Sequence, residues 1–149
     1  MKHPAVALMK RIIDGRSPDD TENGLREVIQ EDFSRFLHPD LVYRGWGHEG
    51  WVDIRGRDAF LEFCRDGLEA ISDASESLIT IVPAGKDMAL VVSGAYRTFK
   101  YLNESTYYEY AMLVRVENGV ITYACDMLDR EAADHWVRSS AARKALGHV

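Results

Sequence analysis

Two carboxylates near the end of the chain, Asp126 and Asp129, carry the first chemical signal. Asp126 stands in Val120-Ile121-Thr122-Tyr123-Ala124-Cys125-Asp126-Met127-Leu128, whose other residues are apolar or weakly polar and read as a strand. An acid on a buried strand is unfavourable unless it is paired or used. In an apolar pocket its charged form is disfavoured, its pKa rises, and it becomes a general acid or base near neutral pH. The blander reading is a structural partner of Tyr108, Tyr110 or Arg97. Asp129 follows where a helix should begin and fits an amino cap, accepting backbone N–H bonds. Tyr43, Tyr108 and Tyr110 have phenols suited to a substrate carbonyl or enolate, although tyrosine also fills half-buried strand faces. Arg97 would clamp an anionic substrate group or neutralise Asp126. Trp46, His48 and Trp51 share a stretch broken by Gly45, Gly47 and Gly50. It reads as a loop, either a mobile apolar lid with His48 as a second acid/base, or a packing or dimer contact.

Other chemistries find less support. The only cysteines, Cys64 and Cys125, lack metal-type spacing and read as buried free thiols on a core helix and a core strand. No metal and no cofactor is expected. Arg55-Gly56-Arg57-Asp58 is a helix entrance, without the glycine spacing of a nucleotide loop. A net charge of -6 argues against nucleic acid, which needs a basic footprint. No run approaches the ~20 apolar residues of a membrane span, and Met1-Lys2-His3-Pro4 leads into an amphipathic helix rather than a signal peptide. The expectation is a cytoplasmic protein with no membrane partner. Its 149 residues, 46% hydrophobic, suit one domain over 1–149 with a real core, its tail frayed after about 139.

The elements that must position these residues follow from periodicity. Ala5, Leu8, Met9, Ile12 and Ile13 define a first helix ended by Gly15. Ser17-Pro18-Asp19-Asp20 starts a second, with Leu25, Val28, Ile29, Phe33 and Phe36 as its stripe, and His38-Pro39-Asp40 stops it. A short strand follows over 41–46. A third helix begins after Gly56-Arg57-Asp58, with Phe60, Leu61, Cys64, Leu68 and Ile71 on one face. The period then falls to two, giving strands at 78–82, 88–101, 106–116 and 120–128. Asn118-Gly119 is the strongest hairpin signal. A last helix begins at Asp129. Helices first and a strand meander later make an α+β fold.

Three pieces carry a resemblance: Phe36-Leu37-His38-Pro39-Asp40-Leu41-Val42-Tyr43, Gly56-Arg57-Asp58-Ala59-Phe60, and Arg115-Val116-Glu117-Asn118-Gly119-Val120-Ile121 leading to Asp129. In this order they resemble the nuclear transport factor 2-like superfamily. That group includes ketosteroid isomerases, SnoaL-like polyketide cyclases, scytalone dehydratase and limonene epoxide hydrolase. The resemblance covers nearly the whole chain and implies a cystatin-like cone, a curved antiparallel sheet wrapped with N-terminal helices around an interior ligand site. It turns Thr122, Ala124 and Asp126 inward, with Tyr108, Tyr110 and Met112, then Val91, Ser93, Ala95 and Arg97, then Tyr43 and Gly45. A bulge would invert any of these assignments.

The family chemistry transfers in part. Gly45 and Met112 stand where ketosteroid isomerases have their carboxylate base and acidic oxyanion donor, so that scheme is not expected. Ser93 and Ala95 stand where limonene epoxide hydrolase has its arginine and second aspartate, while Asp126, Asp129 and Tyr43 match it. No histidine falls at the inward positions that scytalone dehydratase would need. SnoaL-like cyclases rely on one aspartate in a mostly apolar pocket, which corresponds here to Asp126. The resemblance therefore implies a cofactor-independent cyclase or isomerase on a small hydrophobic carbonyl compound. Asp126, Tyr43, Tyr110 and Tyr108 are its catalytic candidates. Trp46, His48, Trp51, Ser93, Arg97, Met112 and Ala124 are its substrate contacts. An epoxide hydrolase- or dehydratase-like enzyme and a non-catalytic binding or dimerisation module are the alternatives. A homodimer through the convex face, bearing Tyr107, Glu109, Ala111, Leu113 and Arg115, is implied by the same resemblance.

Overall fold

Helical spacing places Ala5, Leu8, Met9 and Ile12 on one face, and α1 (Pro4–Asp14) buries all four. The computed structural model describes residues 2–14, 34–47 and 50–147. The stripe assigned to a second helix, from Leu25 to Phe33, and Gly15 lie outside them. Phe36 is described and buried, in a single turn of 3-10 helix, Ser34–Phe36.

Then come β1 (Leu37–Gly47), β2 (Gly50–Arg55), α2 (Arg57–Glu69), β3 (Ile71–Ala84), β4 (Met88–Phe99), β5 (Glu104–Glu117), β6 (Val120–Met127) and α3 (Arg130–Ala145). The six strands form one sheet in the order β2-β1-β6-β5-β4-β3. The fold is the expected α+β cone, with one correction. β1 runs parallel to β6, so the sheet is mixed rather than antiparallel throughout. Register shifts in β1, β3 and the β5–β6 pair bend these strands. The core lies between the concave face and the helices, where α1 and Phe60 and Leu61 of α2 meet Leu41, Tyr43, Val91, Val114, Val116, Ile121 and Ala124.

Several boundaries differ from expectation for identifiable reasons. His38-Pro39-Asp40 does not separate a helix from a strand but lies within β1. Pro39 falls in the interval between Leu37 and Val42 where the ladder with β6 shifts, so its missing N–H forfeits no regular bond. The stretch expected as a glycine-rich loop is a hairpin in which Trp46 and Trp51 pair across β1 and β2. Ile71 opens β3 instead of closing the preceding helix, and β3 begins well before residue 78. The tail expected to fray after about 139 is helical in this structure. α3 continues to Ala145, burying Ser139 and Ser140, with Arg143 and Lys144 in its last turn facing the negative helix pole.

The last hairpin is as expected. Asn118 and Gly119 take φ of 51° and 80°, the positive values a tight two-residue turn requires. A shift between Arg115 and Val116 then leaves Thr122 outside the ladder. Ile121, not Thr122, is buried, and Ala124 and Asp126 keep their inward direction.

Candidate functional site

Alternation along four strands builds a polar cluster into the concave face. On β4, Val91, Ser93, Ala95, Arg97 and Phe99 are all buried while Tyr96 is exposed. On β5, Tyr108 is buried and Tyr110 and Met112 follow on the same face, with Met112 paired to Asp126. Tyr43 is buried on β1 beside Ala124, its partner across the parallel ladder.

Asp126 and Tyr43 meet directly. The Tyr43 hydroxyl donates to Asp126 Oδ2 at 2.6 Å. Asp126 as a residue is half-buried, yet its Oδ1 is shut off from solvent and has no hydrogen-bond partner among the described residues. Burial pushes the Asp126 carboxyl up to about 6, opposed by the Tyr43 hydrogen bond, raised further by the charge of Glu76 and lowered by that of Arg97. Burial and the neighbouring Asp126 push the Tyr43 phenol far above its ordinary range, so it remains a donor. Its ring is fixed by Phe60 and Phe63, with centroids 4.8 and 5.3 Å away. Gly45 makes room for the pair: a Cβ there would lie 3.0 Å from the Tyr43 hydroxyl and 3.1 Å from Asp126 Cβ. Cys64 is half-buried on α2, and its thiol is pushed up to about 12, chiefly by burial and then by Asp126. A thiol held that high is little ionised near neutral pH and is a weak nucleophile. Cys125 departs from the core assignment, because its position between inward Ala124 and Asp126 turns it outward, half-buried.

Arg97 has a different partner from either one expected. It forms a buried ion pair with Glu76 of β3, and its other terminal nitrogen donates to the carbonyls of Ser75 at 3.1 Å and Tyr96 at 2.9 Å. Burial alone would lower the Arg97 pKa, but the charges of Glu76, Tyr108 and Tyr110 and the hydrogen bond to Glu76 together hold it above the ordinary value. Tyr110 donates to the same Glu76 oxygen at 2.9 Å.

Glu76 was missed by sequence reasoning. It lies in Ser72-Asp73-Ala74-Ser75-Glu76-Ser77, a polar run that gives no sign of a buried face. The register shift between Leu78 and Thr80 breaks the parity that would have linked it to Ile81. Trp136 of α3 was also missed as a partner. Its Nε1 donates to the Tyr108 hydroxyl at 3.2 Å.

A proton inventory shows what the cluster can offer. Tyr43 commits its O–H to Asp126, and Tyr110 commits its own to Glu76. Tyr108 accepts from Trp136, and its own O–H has no acceptor among the described residues. The buried Ser93 hydroxyl likewise has no partner among them. Among the described residues of the cluster, the groups with hydrogen-bonding capacity left unused are therefore Asp126 Oδ1, the Tyr108 O–H and the Ser93 hydroxyl. Trp46 and Trp51 are not beside them. They lie on the opposite face of the sheet, in edge-to-face contact at 6.0 Å. His48 lies outside the described residues. Met112 packs against the core cluster and Ala124 is part of it.

A SnoaL-like domain family matches residues 26–124, more than half of the chain. The match ends two residues before Asp126. Among curated proteins none matches. Solved structures agree in fold. An NTF2-like protein of unknown function from Burkholderia pseudomallei K96243 superposes with a TM-score of 0.68 at 16% identity, covering 93% of this chain and 97% of that one. TerC co-crystallised with polyporic acid gives 0.65 at 15% identity, covering 91% and 98%. An LEH-like epoxide hydrolase from Mycobacterium tuberculosis gives 0.62 at 14% identity, covering 97% and 96%. At these identities the likeness is one of fold.

Proposed function

We propose, since this chain belongs to the SnoaL-like domain family, that it is a cofactor-independent enzyme acting on a small, mostly apolar carbonyl compound, in the manner of a cyclase or isomerase. The observation that carries the reading is the state of Asp126. One oxygen is held by Tyr43 and the other is buried with no partner among the described residues. An orphaned carboxylate oxygen is unfavourable to the fold and useful to a ligand.

In this scheme Oδ1 takes a proton from the carbon next to the substrate carbonyl. The C–H electron pair moves into the carbon–carbon bond, and the carbonyl π pair moves to oxygen, giving an enolate. The Tyr108 O–H, with its oxygen steadied by Trp136, donates to that oxygen, and Ser93 can do the same. Asp126 then returns the proton. Return to a different carbon isomerises the substrate. Attack of the enolate on a second carbonyl cyclises it, and Asp126 protonates the alkoxide. A carboxyl near pH 6 suits both halves of the cycle. The absence of an Asp126–Arg97 pair supports this reading over a non-catalytic module.

The test is deuterium uptake from D₂O at the α-carbon of an apolar ketone such as 2-tetralone, followed by proton NMR. The native chain is expected to exchange above the buffer rate, and Asp126→Asn to fall to that rate with its fold intact. Equal exchange by both overturns the enzyme reading and leaves a binding module.

The same proposal includes a homodimer through the outer face of the sheet. Trp46, Trp51, Tyr96, Tyr107 and Met127, all exposed, lie on that face and support it.

A further inference from the structure

The acid–base scheme leaves one buried charge pair unused. Glu76 and Arg97 stand on neighbouring strands, with side chains 11% and 9% exposed. Apolar residues of similar volume would generally serve a fold as well, because desolvating two charges offsets their attraction. The pair faces the same interior as Asp126, and its two charges act on that carboxylate in opposite directions. Among the described residues, the titratable or charged groups whose fields reach Asp126 are Tyr43 from β1, Cys64 from α2, Glu76 from β3, Arg97 from β4, and Tyr108 and Tyr110 from β5. Arg97 is the one cation in that set among the described residues. Two buried carboxylates therefore share the field of one guanidinium, and Glu76 holds it with the help of the Ser75 and Tyr96 carbonyls. Tyr110 braces the same Glu76 oxygen.

We infer that Glu76 is a positioning residue, which keeps the Arg97 guanidinium on the β3 side of the interior so that Asp126 has no cationic partner. The inference rests on the acid–base reading of Asp126 for its meaning. It names what keeps that acid in play: a carboxylate paired with arginine would remain ionised and be a poor base. It also defines the ligand class. With its arginine neutralised, the interior offers, among the described residues, two neutral donors and one acid, a set that fits an uncharged ligand rather than a carboxylate.

The experiment is a ¹³C NMR titration of the Asp126 carboxyl, assigned by its disappearance in Asp126→Asn. The native midpoint is expected near 6. Glu76→Gln frees Arg97 and should lower the midpoint by about one pH unit or more. Glu76→Gln combined with Arg97→Met removes the competing cation and should bring the midpoint back to the native value. An unchanged midpoint in Glu76→Gln overturns the inference. So does a double variant that stays low, because the shift would then come from Glu76's charge alone. Should Glu76→Gln fail to fold, Glu76→Asp takes its place, withdrawing the carboxylate by one methylene. Its midpoint should fall in the same direction, and no fall overturns the inference. The readout needs no turnover, so it stands apart from the exchange assay that decides whether Asp126 is catalytic.

Discussion

Asp126 accepts one side-chain hydrogen bond where an ionised carboxylate can accept several, and that shortage sets its behaviour. Tyr43 is the group that most favours its charged form. Tyr43→Phe should therefore raise the Asp126 midpoint above 6, moving the rising limb of the pH–rate profile to higher pH and slowing exchange at pH 7. A limb that stays in place would mean that Tyr43 merely fills space. Burial also has a consequence for stability. The folded carboxyl titrates near 6 against an ordinary 3.8, so the folded state binds its proton more tightly than the unfolded state. The sign is thus that this contribution is fully present below about pH 4 and is lost as pH rises through 6. The loss is at most about 3 kcal/mol. Asp126→Asn removes the titration. Its melting temperature should exceed that of the native chain at pH 8, with the gap closing toward pH 4. A gap of constant size across that range would contradict the assigned shift.

Asp129 and Gly45 show how the elements hold that residue. Asp129 caps α3, accepting from the Ala132 N–H at 2.8 Å, so Asp129→Ala should cost about 1 kcal/mol in denaturant unfolding while exchange is retained. Loss of exchange at unchanged stability would move Asp129 into the chemistry. Gly45 is the tighter constraint. Gly45→Ala sets a methyl against the Tyr43 hydroxyl and Asp126, and should destabilise by about 1–3 kcal/mol and weaken exchange together. Much of this was legible in the sequence. Asn118-Gly119 marks the β5–β6 turn, and the register that the family resemblance implies turns Asp126, Tyr108, Tyr110 and Met112 inward. What escaped depends on irregularity. One bulge leaves Thr122 out of the ladder, and another hides the parity of Glu76. The Trp46–Trp51 hairpin was obscured by its glycines, which read as loop until the strands are seen to pair. The partner choice of Arg97 is a contest between two acids from distant strands, and no local pattern reports it.

At the scale of the molecule, the sheet has two faces with different tasks. The concave face meets α1 and α2 and contains the polar cluster. The outer face carries Trp46, Trp51, Tyr96, Tyr107 and Met127, each between 37% and 58% exposed. None of the described helices is long and apolar enough to cross a membrane. Tyr107 lies across Gly94, so part of its ring surface already covers the neighbouring strand. Aromatic and methionine side chains are the types enriched where partners meet. Strands β2, β1, β6, β5 and β4 are adjacent, so these residues form a continuous strip across the sheet, and a two-fold contact would need roughly 800 Å² from each partner. In such a contact each residue is used twice, and one charge introduced near the centre is doubled and desolvated. Met127→Glu combined with Tyr107→Glu should therefore turn a dimer into a monomer in sedimentation velocity. The inward Asp126 midpoint should stay near 6, because these side chains point away from the cone. A native chain that sediments as a monomer at micromolar concentration would remove the dimer from the proposal and leave the chemistry of the concave face untouched.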